Sequence, residues 1–74
     1  MNPDTIAALA ARRLHPLRRR VPREDLLWLA RRAIDQRAAE HPELLRLPAP
    51  ARAAVWESWA DDLAVMVASR AAAL

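Results

Sequence analysis

Seventy-four residues carry twelve arginines, nine acids and a formal charge of +3, with no glycine, cysteine, lysine, tyrosine or phenylalanine. A chain of this length makes a single domain, residues 1–74, and without cysteine no disulfide can staple it. The missing glycines exclude phosphate loops and dinucleotide fingerprints, whose backbones must approach phosphate without a Cβ, and leave tight β-hairpins no easy occupant for positive φ.

A domain this small buries only about 60 % of its unfolded surface, so self-association or a closely packed helical core is the expected stabiliser. Alanine, leucine and arginine dominate, all good helix formers, and proline is the only strong punctuation. The predicted fold is all-α: a compact bundle of three main helices plus a short helical segment near residues 42–47. The same composition also suits a GC-rich genome, so arginine in place of lysine carries no functional weight.

The first helix opens with Asn2 as N-cap, Pro3 at its first position and Asp4 facing the helix dipole. Ile6, Ala10, Leu14, Leu17 and Val21 form a helical stripe that Pro16 interrupts. His15 precedes that proline and is expected outside the α region, so the helix should end or kink near residue 14 or 15. Arg12 and Arg13 close its last turn, and Arg18, Arg19, Arg20 and Arg23 follow. Residues 1–23 thus hold six arginines and one acid, whereas residues 24–74 hold six arginines and eight acids. Such polarity marks a candidate anion-binding arm. A break at Pro16 would spread its arginines as a fan rather than along one stripe.

Pro22 opens the second helix, with Glu24 and Asp25 in its first turn. At about 100° per residue, Leu27, Ala30, Ile34, Ala38 and His41 share one arc, flanked by Leu26 and Ala33. The opposite arc carries Trp28, Arg31, Arg32, Asp35 and Gln36. Trp28 has two readings. It is a binding anchor beside Arg31 and Arg32, or it packs under the first helix or the 42–47 segment with Arg32 stacked on its ring.

The third helix follows Pro48 and Pro50 and runs to the C-terminus. Trp56, Trp59, Ala60, Leu63, Met66 and Val67 share a face that predicts the main core seam. Residues 63–68, "LAVMVA", are apolar all round, which predicts burial all round. Either a homodimer covers Leu63, Val65, Met66 and Val67, continued by Leu74, or the other segments sheathe this helix. Glu57, Asp61 and Asp62 read as a solvated acidic face, able to meet an arginine of a second copy.

His15 and His41 are the only imidazoles, each before a proline, where they could cap the segment that follows. Too few ligands accompany them for a metal, and no elbow or oxyanion motif accompanies Ser58 or Ser69. Neither an enzyme nor a cofactor is expected. The chain shows no signal-peptide pattern and no apolar run of the roughly 20 residues a membrane span needs, so a cytoplasmic protein without a membrane partner is expected.

Two functional readings remain open. The first is a self-associating protein-binding module, an adaptor or inhibitor of the phage or mobile-element kind. The second is a small regulator gripping the nucleic-acid phosphate backbone through residues 12–23. Against the second, no helix presents the Asn, Gln, Ser and Thr set that reads base edges.

Overall fold

The computed structural model describes all 74 residues. It contains α1 (Pro3–Leu14), α2 (Arg23–Glu40) and α3 (Ala49–Ala72), with 3-10 turns at His15–Leu17 and Pro42–Arg46. There is no strand, and each of the three helices packs on the other two. The all-α bundle with a short segment near 42–47 is therefore what forms. Its extents are 41 × 17 × 16 Å. The long axis is close to the length of α3 alone, about 36 Å at 1.5 Å per residue.

The helix ends follow the local chemistry. Asn2 Oδ1 accepts from the Asp4 N–H at 2.9 Å, and Pro3 occupies the first turn where its missing N–H costs nothing. Pro22 and Pro48 stand at the cap position, so α2 begins at Arg23 and α3 at Ala49, one residue away from the simplest reading of the prolines.

The break after α1 differs from expectation. His15 stays in the α region, at φ −56° and ψ −47°. Pro16 has no N–H to continue the α ladder, so the chain tightens into a 3-10 turn and ends at Arg18, at φ 55°. Arg19 N–H then donates to Leu14 C=O and Arg18 N–H to His15 C=O, the nested pair of a Schellman cap. In a chain without glycine, an arginine takes the left-handed position.

Fourteen residues are buried and all are apolar; seven of them are alanines. Alanine lets helix axes approach closely but removes little apolar area from water, so the core is thin and each larger side chain in it matters. The larger side chains fully enclosed are Ile6 of α1 and Leu63 and Val67 of α3. Trp56, Trp59, Ala60 and Met66 are partly buried against that cluster.

On α2 the core side is Leu26, Leu29, Ala30 and Ala33. This arc is rotated by about a quarter turn from the one centred on Leu27, Ile34 and Ala38. Ala38 is exposed, and Leu27 and Ile34 are only half-buried. The pair Leu26 and Leu29 sets the rotation, because α1 and α3 both close on that side. One consequence is that Trp28 stands at the solvent pole of α2.

The apolar stretch of α3 is resolved in the same way. Leu63 and Val67 are 0 % exposed inside a single chain, and Met66 is half-buried. The other helices sheathe them, so Leu63 and Val67 are not members of a self-association surface. Val65, at 45 %, and Leu74, at 74 %, do face solvent.

Candidate interaction surfaces

Two surfaces gather the residues singled out by sequence. The first surrounds the α1–α2 junction. The 3-10 turn and the left-handed Arg18 turn the backbone sharply, so the arginines fan out. An open groove of about 500 Å³ results, lined by His15, Pro16, Arg18, Arg19 and Arg20.

Not all of these charges are free. Arg19 Nη2 donates to the Ala72 carbonyl at 2.6 Å, a cation on one of the carbonyls that the last turn of α3 leaves unpaired. Arg23 Nη2 lies 3.2 Å from Asp4 Oδ1 and ties the start of α2 to the first turn of α1. This is the only arginine ion pair in the molecule. Arg12, Arg13, Arg18 and Arg20 are exposed with no acidic partner.

The second surface is the outward face of α2. Trp28 is 57 % exposed, and the Arg32 guanidinium carbon lies 4.8 Å from its ring centroid. The stacking follows from the i, i+4 spacing on one helix face. The expected packing of Trp28 beneath α1 or the 42–47 segment does not occur. Glu24, Asp25, Arg31 and Asp35 surround it on the exposed side, and none of them forms an ion pair. Glu24 and Arg31, seven positions apart, are separated by about 10 Å along the helix, too far for a contact within it.

A third cluster, missed by sequence reasoning, closes the α2–α3 end. The Trp56 and Trp59 rings meet edge-to-face at 5.3 Å, and His41 tilts onto Trp59 at 4.8 Å. Arg37 covers Trp59 at 5.0 Å and donates to Met66 Sδ at 3.7 Å. Nothing local in the sequence pairs Arg37 with a tryptophan 22 positions away. Neither histidine caps the following turn with its side chain. Instead His41 Nδ1 lies 2.9 Å from Glu43 Oε1, and this hydrogen bond, with one from the Glu43 backbone, holds the carboxyl below its ordinary pKa of 4.5.

No three His, Cys, Asp or Glu side chains converge as a metal site would require. No helix is long and apolar enough to cross a membrane. No family model, curated protein or solved structure matches the chain.

Proposed function

We propose that the chain is a small non-enzymatic protein-binding module, an adaptor or inhibitor that acts by covering a surface of another protein through the outer face of α2. The observation that carries this reading is Trp28. A half-exposed tryptophan with an arginine on its ring, at the centre of a helix face, has the composition of an interface hot spot. The surrounding charges are of both signs, which suits a protein surface better than a polyanion.

The groove at the α1–α2 junction favours a second reading, backbone-directed nucleic-acid binding through residues 12–23. Engagement of Arg19 and Arg23 within the chain weakens it, since both would have to leave present partners.

Affinity capture with the wild-type chain, Trp28→Ala and the triple Arg18→Ala, Arg19→Ala, Arg20→Ala variant separates the two. The protein-binding reading expects a nuclease-resistant protein partner that only Trp28→Ala loses. Capture of nucleic acid alone, weakening by a slope of about 0.9 per neutralised phosphate and lost only in the triple variant, would establish the second reading instead.

A further inference from the structure

We infer that the outer face of α2 is a two-fold, antiparallel docking surface for a second copy of this chain. The inference rests on the reading of that face as the protein-binding surface and names one occupant for it.

A two-fold interface presents the same patch twice, so the patch must complement itself. The charges along α2 meet that condition about Trp28. Two acids, Glu24 and Asp25, lie one turn before it, and two arginines, Arg31 and Arg32, lie one turn after it. Set two such helices antiparallel with Trp28 on the axis. Glu24 then faces the partner's Arg31 along one flank, Asp25 faces the partner's Arg32 along the other, and the two indoles meet. A parallel arrangement would set acid on acid and arginine on arginine. The acids also suit the helix N-terminus, but the dipole gives no reason for two adjacent arginines in mid-helix. Within one chain none of these four groups has an ion-pair partner.

The other exposed helix face fails the same condition. Ala51, Ala54, Ser58, Val65, Ser69 and Ala73 line the outer side of α3, with Asp61 and Asp62 at its middle. An antiparallel pair of α3 helices brings Asp61 and Asp62 against their own images. Like charges meet at the middle of that face, so the small-residue stripe does not select a second copy.

The α2 face is limited in size. With Trp28 on the axis the two helices overlap over residues 23–33, about 16 Å long and one helix wide, well short of the roughly 800 Å² per partner typical of stable complexes. The dimer is therefore transient, with micromolar affinity and a marked salt dependence.

Sedimentation velocity over a concentration series at low and high salt provides the test. The wild-type chain should shift from monomer to dimer with concentration, less so at high salt, and Trp28→Ala should weaken the dimer about tenfold or more. Two charge variants carry the decision: Glu24→Arg with Asp25→Arg, and Arg31→Glu with Arg32→Glu. Each should be monomeric alone, and an equimolar mixture should recover a dimer, which also shows that both fold. A wild-type monomer at every concentration overturns the inference. So does a mixture that stays monomeric, or a dimer broken by Val65→Arg and indifferent to Trp28→Ala. A monomer that still captures another protein through Trp28 removes the second copy and keeps the protein-binding reading.

Discussion

Arg19 reaches across 53 positions to donate a 2.6 Å hydrogen bond to the carbonyl of Ala72. The basic junction after α1 therefore has a structural duty at the C-terminal end of α3. The bond is exposed, so its net worth is about 0.5–1 kcal/mol. Arg19→Ala should lower the thermal midpoint by about 4 °C and increase amide exchange in the last turn of α3. Arg20→Ala, whose side chain has no partner, should leave both unchanged. Equal losses in the two variants would mean that general charge, not the Ala72 contact, matters here.

Arg18 occupies the left-handed region at φ 55°, where a Cβ crowds the carbonyl. Glycine relieves that crowding at a cost in unfolded-state entropy, and the relief is larger. Arg18→Gly should stabilise the fold by about 0.5–1 kcal/mol, whereas Arg18→Val should destabilise it, since a β-branched residue tolerates this region least. Chemical denaturation of the three chains reads both signs. A destabilising Arg18→Gly would mean that the Schellman cap at residues 14–19 does not persist in solution.

Proline made most of the architecture legible in the sequence. Asn2-Pro3, Pro16, Pro22, Pro42 and Pro48 each fall within a residue or two of an element boundary. The rotation of α2 was not legible, for a physical reason. Alanine fits a core arc and a solvent arc equally well, so Ala30, Ala33 and Ala38 cannot orient the helix. Leu29 could have done so, because with Leu26 and Ala33 it forms an i, i+3, i+7 set. Centring the arc there sends Trp28 to solvent. The same ambiguity covered α3, where "LAVMVA" reads as uniformly apolar until α1 and α2 take up one side of it. Arg12, Arg13, Arg18 and Arg20 lie where the fan reading put them, but the internal engagement of Arg19 and Arg23 depends on contacts with α3 and α1 that local patterning does not record.

Glu43 offers a pH-sensitive probe of the α2–α3 corner. Hydrogen bonds from His41 and from the Glu43 backbone favour its ionised form and lower its pKa from 4.5. A carboxyl lowered on folding contributes stability above its unfolded value and loses that contribution as pH falls through the folded one. The contribution should thus fade below about pH 4.5. Carbon-13 titration of the Glu43 carboxyl should give a midpoint below 4.5, and His41→Ala should return it toward that value. A midpoint unmoved by His41→Ala would refute the pairing.

Leu63 and Val65 lie two positions apart on α3 with opposite surroundings, at 0 % and 45 % exposure. Truncating Leu63 to alanine removes one of the few large side chains from an alanine-rich core. The loss should be about 2–5 kcal/mol, because helices already held close by alanines cannot collapse further into the cavity. For a domain of this size that is most of the available stability, so Leu63→Ala should melt near or below ambient temperature. Val65→Ala should stay within about 0.5 kcal/mol of wild type. Both variants should be measured at two protein concentrations well apart. Because Leu63 is enclosed within one chain, its loss should not depend on concentration. A penalty that grows as the protein is diluted would move Leu63 into an interface between copies and overturn the sheathed-helix arrangement.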